Sequence, residues 1–308
     1  MRYLLSKPHA LRGWKRLPYA VQNLRSSETN FMTKDAFGLP SSCNGIYPLD
    51  PDTLGEWERR NIELWLESGL IREAGPGEML APEQVYRLFP ARFKQTVHWS
   101  ITGRCDYRCK HCLTSAPHAV QGEPGLEDCV RMLGAFQRCG IRAIHLTGGE
   151  PLARRDFWQL VGEICAHDMF VAVICSNGLL VTDAFLDELQ RRNIRCVFRF
   201  SFDGVGHHGW MRGVDGAEKI VIDAMRRCNE RGIPWSASMV PCKESLGSIR
   251  ESARLLGELG CTALKVGAAS PADEWLDQDD WDQGTGRRTP KESFAWMRRV
   301  VASNGEEL

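Results

Sequence analysis

From about residue 95 onward, short apolar runs alternate with stretches whose apolar residues recur at helical spacing. Strands are predicted over 97–102, 141–147, 171–176, 194–202, 234–240 and 262–267. Between the first two, Leu126, Cys129, Val130, Leu133 and Phe136 recur at the 3.6-residue period and stop at Gly140, which predicts an amphipathic helix. Asp156 and Thr182 stand where the next two helices need N-caps, and a later helix ends near Gly260. A sixth helix is expected over 291–303. Strands alternating with helices require right-handed crossovers and a parallel sheet, either open and doubly wound or a partial barrel. In both, a site forms at the carboxyl ends of the strands.

The first ninety residues read differently. Tyr3, Leu5, Leu11, Trp14, Leu17, Tyr19 and Val21 fit short strands, and a helix over 52–68 is expected, capped by Asp52 and closed by Gly69. Leu54, Trp57, Ile62, Leu64, Trp65 and Leu66 would form its apolar face, with Trp57 and Trp65 in the core. Leu70, Ile71 and Arg72 read as a further strand, and Gly38, Pro40, Ser41 and Ser42 interrupt any helix there. The expected organisation is a small N-terminal α+β, winged-helix-like module over 1–90 and an α/β core over 95–308.

Composition narrows the class. Lys+Arg and Asp+Glu are each 39, so the formal net charge is zero, which argues against nucleic-acid binding by bulk electrostatics. No apolar run is long enough for a signal peptide or a membrane span, so a cytoplasmic, reducing setting is expected for the 12 cysteines. Three of them, Cys105, Cys109 and Cys112, follow the first strand with C-x3-C-x2-C spacing. One loop can turn three thiolates toward one centre, one short of the four that close a zinc or iron–sulfur site. Either an iron–sulfur cluster with one open iron is held there, or a structural zinc with His111 or a distant cysteine as fourth ligand. After the second strand comes Gly148-Gly149-Glu150-Pro151. Its glycines permit close backbone approach to a ligand, and Glu150 can accept hydrogen bonds from an ammonium group.

Together these motifs resemble the radical SAM superfamily, over residues from about 95 to 303. The resemblance implies a partial (β/α)6 TIM-like barrel, with Cys105, Cys109 and Cys112 holding a [4Fe–4S] cluster and His111 lying against the adenine of S-adenosylmethionine (SAM). Gly148, Gly149, Glu150 and Pro151 would bind its methionine amino group, Asn177 and Ser201 its ribose, and Arg212 its carboxylate. The implied activity is reductive cleavage of SAM to a 5′-deoxyadenosyl radical that takes hydrogen from a substrate. It also implies an electron donor such as flavodoxin or ferredoxin. The subgroup resembled is that of the SPASM-type peptide maturases, so a ribosomally made peptide or protein is the expected substrate, and a small-molecule precursor the alternative. Relatives in that subgroup continue into an auxiliary-cluster domain. This chain stops at Leu308, so either it works with one cluster or it is a piece of a longer protein.

Strand alternation places Val197, Arg199 and Ser201 on one face, which makes Arg199, and Lys265 on the sixth strand, candidates for substrate contact. Asp203 reads as a turn residue, and His207 and His208 as exposed loop residues. The other nine cysteines read mainly as core thiols. The N-terminal module loosely resembles peptide-recognition domains that capture a leader by strand addition. Its helix carries Glu56, Glu58, Glu63 and Glu67 against Arg59 and Arg60, a poor match to a DNA groove. A zinc-binding interaction protein and a winged-helix regulator stand as the competing classes.

Overall fold

The structure, a computed structural model, describes residues 1–267 except Pro51, Val120, Gln121 and Lys243. The helix expected over 291–303 lies outside the described residues. The chain divides into two compact units. One comprises Met1–Val97 with Val130–Ala143 and Cys165–Phe170, and the other takes the remainder.

The first unit opens with β1 (Tyr3–Leu5), β2 (His9–Trp14), β3 (Leu17–Asn23) and β4 (Thr29–Phe31), followed by α1 (Lys34–Ser42), α2 (Glu56–Glu67), β5 (Ile71–Glu73) and β6 (Arg87–Phe89). β1 pairs antiparallel with β5, while β4, β3, β2 and β6 form a second sheet in that order. Leu5, Leu11, Val21, Phe37, Leu39, Ile62 and Ile71 are buried together beneath these elements. Three expectations fail here. Residues 34–42 are helical despite Pro40. Thr33 caps the helix by accepting the Ala36 N–H, and burial of Phe37, Leu39 and Pro40 outweighs the lost donor. Helix α2 starts at Glu56 behind Gly55, not at Asp52, because Asp50 Oδ1 accepts the Asp52 N–H and holds that residue in a turn. On α2 Ile62 is buried, whereas Trp57 and Leu64 are about half exposed, so the apolar face is narrower than expected. Gly69 ends the helix at φ 71°, as expected.

The remaining elements are β7 (Thr96–Ser100), α3 (Leu126–Arg138), β8 (Ala143–Thr147), α4 (Phe157–Ala166), β9 (Phe170–Ser176), α5 (Asp183–Arg191), β10 (Val197–Ser201), α6 (His208–Arg212), α7 (Ala217–Glu230), β11 (Trp235–Met239), α8 (Ile249–Glu258) and β12 (Leu264–Val266). Strands β7 to β12 form one six-stranded sheet in sequential order, and β9, β10, β11 and β12 pair in parallel. The six predicted strands are these six. Sequential order is what repeated right-handed crossovers give, and among the described residues β7 and β12 are the edges of the sheet, as in a partial barrel. Phe198 and Phe200 are fully buried, while Val197, Arg199 and Ser201 are half-buried on the opposite face. Thr182 caps α5 by accepting the Phe185 N–H. No helix among the described residues is long and apolar enough to cross a membrane.

Candidate active site at the strand ends

The cysteine loop leaves the end of β7, and backbone contacts grip it from two sides. From β8, Gly149 N–H donates to Thr102 O at 2.9 Å and Glu150 N–H to Arg104 O at 2.7 Å. A Cβ on Gly148 would overlap the Thr102 carbonyl oxygen, and one on Gly149 that of Arg104. The paired glycines are therefore required by the fit of one loop onto the other, a reason the sequence reading did not contain. On the far side, Lys110 N–H donates to Met211 O at 2.9 Å and Arg108 N–H to Arg212 O at 3.3 Å. Gly213, at φ 65°, faces the Arg108 carbonyl with no room for a Cβ.

Each of the three sulfurs receives an N–H donor. Tyr107 N–H reaches Cys105 Sγ at 3.5 Å, Ala116 N–H reaches Cys112 Sγ at 3.3 Å, and Arg212 Nη1 reaches Cys109 Sγ at 3.6 Å. Burial pushes the Cys105 thiol up to about 12, with the Tyr107 amide pulling it back. Burial also raises Cys109, against the pull of Arg212. Among the described residues no three His, Cys, Asp or Glu side chains converge as they would around one metal ion. The three cysteines instead border a cavity of about 380 Å³ that is also lined by His111, Gly148, Gly149, Glu150, Asn177, Ser201 and Arg212.

Within that cavity the expected residues are engaged with one another. Glu150 is fully buried and accepts from Leu152 N–H (3.2 Å), Ser176 Oγ (3.2 Å) and Asn177 N–H (2.8 Å). Burial pushes its carboxyl up to about 8, while the Asn177 and Leu152 amides pull it down. Asn177 Nδ2 donates to Asp106 Oδ1 at 2.6 Å. Pro151 is buried and starts a single 3-10 turn, and it is not among the cavity's lining residues.

Asp203, expected as a turn residue, is fully buried and central. Arg212 Nε lies 2.6 Å from its Oδ2, and Val240 N–H donates to its Oδ1 at 3.0 Å. His208 Nδ1 and His111 Nε2 stand 3.8 and 3.9 Å from Oδ2. Burial alone would raise the Asp203 carboxyl, but Arg212, His111 and His208 hold it below the usual carboxylate range. His208 is likewise fully buried, not an exposed loop residue, and burial with the Arg212 charge lowers it to about 3. The same causes lower His111 to about 4. One signal for this network was present: His208 and Arg212 are four apart, on one face of a helical turn.

Five of the other nine cysteines, Cys43, Cys129, Cys196, Cys228 and Cys242, are buried as expected. Cys175 instead lines the cavity, and Cys165 is exposed. Arg199 and Lys265 are not among the cavity's lining residues.

A profile of the Radical SAM superfamily matches residues 99–256, which includes both strand-end motifs. The chain belongs to the radical SAM superfamily. Pre-heme d1 synthase of Dinoroseobacter shibae is 30% identical over 58% of this chain and 45% of its own length. Mycofactocin maturase MftC of Mycobacterium tuberculosis is 27% identical over 58% of this chain and 46% of its own. The chain thus spans about half the length of the curated relatives it matches. Among solved structures, Streptococcus suis SuiB superposes with a TM-score of 0.66 at 15% identity, over 99% of this chain and 69% of SuiB. At that identity the likeness shows the fold, and it covers both units.

Radical SAM enzymes use a [4Fe–4S] cluster and SAM, and membership answers the zinc-protein and regulator alternatives in favour of an enzyme. The residues fit these cofactors. Three cysteines on one loop, each with an N–H donor at its sulfur, suit thiolate ligands, and the bordering cavity carries both cationic and hydrogen-bonding groups.

Proposed function

We propose that this chain modifies a ribosomally made peptide or protein by radical chemistry at the strand-end cavity. The observation that carries the reading is the joining of Cys105, Cys109 and Cys112 to Gly148, Gly149 and Glu150 around that one cavity. In this proposal the three cysteines hold the cluster. His111, Gly148, Gly149, Glu150, Pro151, Asn177, Ser201 and Arg212 receive SAM. When bound, these cofactors supply the 5′-deoxyadenosyl radical that abstracts a substrate hydrogen.

The chain's own residues do the positioning. Arg212 is charged and held in place by Asp203, and its guanidinium can turn toward a carboxylate in the cavity. Glu150, drawn into the wall by three donors, offers carboxyl oxygens to an ammonium group, whose charge would favour the ionised form that burial opposes. Asn177 must exchange its bond to Asp106 for a ribose hydroxyl, an exchange of similar partners. Buried Tyr107 and the apolar side of the loop keep water from the sulfurs.

The peptide reading draws on MftC, a maturase by name, and on SuiB, which has also been solved with its precursor peptide SuiA. The module over 1–90 would then capture a leader segment, with β4 as an open edge for strand addition. Flavodoxin or ferredoxin would supply the electron, and a cytoplasmic setting suits the free thiols. The 30% identity to pre-heme d1 synthase favours a second reading, a small-molecule precursor as substrate. The test is anaerobic turnover with dithionite, SAM and a synthetic copy of any short peptide encoded beside the gene. 5′-Deoxyadenosine formed together with a change in peptide mass supports peptide modification. Turnover that no peptide stimulates but a tetrapyrrole does would replace it with the second reading.

A further inference from the structure

Beneath the cavity, on the same inner face of the sheet, lies a row of basic side chains that the proposed SAM site does not use. Arg199 precedes cavity-lining Ser201 by two residues, about 7 Å along β10 on the same face. Its ladder partners are Cys175, which lines the cavity, and Ser236. Lys265 of β12 stands directly opposite Ser238, another lining residue, so it projects to the same side. His145 precedes lining Thr147 by two residues on β8, and its ring meets that of His98 on β7 edge to face at 4.4 Å. His145 feels the charges of His98 and Arg199, and Cys175 those of Arg199 and Lys265.

Burial, with the charges of His98 and Arg199, lowers His145 to about 4, so its ring is neutral near pH 7 and the row's permanent charge is that of Arg199 and Lys265. Among the described residues neither Arg199 nor Lys265 has a carboxylate within ion-pair reach, whereas Arg154, Arg212 and Arg231 each have one. Nδ1 of His145 is buried without a hydrogen-bond partner. Lys265 and His98 are exposed, and Arg199 and His145 half-buried, so the row is reachable from the open side of the sheet. Cationic groups gathered at a partly dry surface without counter-charge attract an anion, and the fork of an arginine can pair both oxygens of a carboxylate.

We propose that His98, His145, Arg199 and Lys265 form a subsite that binds a carboxylate of the substrate, either an acidic side chain or a free C-terminus. The proposal rests on the peptide reading above and adds the chemistry by which the substrate would be held. A carboxylate seated there anchors the substrate within about two residues' length of the cavity wall, where the reacting carbon must lie. Arg199 and Lys265 act as binding residues, and the histidines complete the wall.

Small probes test this without turnover. On the anaerobic, cluster-loaded full chain, saturation-transfer NMR titrations would use three compounds. N-acetylglutamate α-amide carries a side-chain carboxylate, N-acetylglutamine a free α-carboxylate, and N-acetylglutamine amide no charge. At least one acid is expected to bind roughly tenfold or more tightly than the neutral amide, and the stronger acid identifies the source. R199Q with K265Q should remove that preference, and R199K alone should retain part of it, which a purely structural role would not predict. The cluster's absorbance reports whether each variant has folded. Equal binding of acids and amide, or a preference that survives R199Q/K265Q, overturns the proposal. Failure of the wild-type chain to cleave SAM would instead sink the radical reading, while an acid preference lost in the double variant still establishes the subsite.

Discussion

Two segments hold the cysteine loop, and they do so by different physics. The segment after β8 holds it by backbone fit: two amide hydrogen bonds and two glycines with no space for a side chain. The segment 202–213 adds charge to its backbone bonds, through a buried aspartate that fixes an arginine, which in turn donates to Cys109. The first grip depends on shape and on backbone bonds that do not themselves titrate. The second depends on an uncompensated charge never being left behind, and so responds to both substitution and acid.

The difference is most sharply broken at Asp203. D203N strands Arg212 as an unpaired buried charge and should cost about 3–5 kcal/mol, read as a loss of chemical-denaturation midpoint. The shape-based grip should yield less. G149A forces a side chain onto the Arg104 carbonyl, and an overpacked site of this kind costs about 1–3 kcal/mol. Reconstituted iron content should fall with it, since the loop must shift to make room. If G149A proves as stable as wild type, the shape account of this grip is wrong.

Acid separates the two grips by a smaller effect. His208 is held near 3 when folded against about 6.5 in the unfolded chain, so the unfolded state binds the extra proton between those values. Its contribution is fully present above pH 6.5 and is lost as pH falls toward 3. Asp203, with a depressed folded value, adds a loss in the same direction below about pH 4. H208N should flatten the slope of stability between pH 6.5 and 4, and G149A should leave it parallel to wild type. The smallest effect is expected away from both grips. Trp57 is 49% exposed on α2, and W57A should change stability by no more than about 0.5 kcal/mol.

How legible each grip was in the sequence follows from the same contrast. Cys105, Cys109 and Cys112 and the residues 148–151 are local patterns with short spacing at predicted strand ends, so both could be read directly. The six strands of the core were readable because each is an apolar run bounded by turn residues, and Thr182 because a cap is a local interaction. Asp203 was not readable. What makes it central is burial against His111, Arg212 and Val240, partners as far as 92 positions away, and an Asp-Gly pair reads locally as a turn. Helix α1 was misread for the reverse reason, since Pro40 speaks against a helix locally and tertiary burial of Phe37 and Leu39 decides. The reason for Gly149 was hidden too, because the obstacle is a carbonyl 45 residues away, at Arg104.

In the proposed function, the loop's three thiols and the glycine segment serve one cluster and one SAM. The most direct test of this claim is anaerobic reconstitution with iron and sulfide, followed by reduction and a SAM titration watched by electron paramagnetic resonance. Wild type is expected to show a [4Fe–4S] signal that changes on adding SAM, and the C105A/C109A/C112A chain to show none. A full, SAM-responsive [4Fe–4S] signal in the triple variant would contradict the claim.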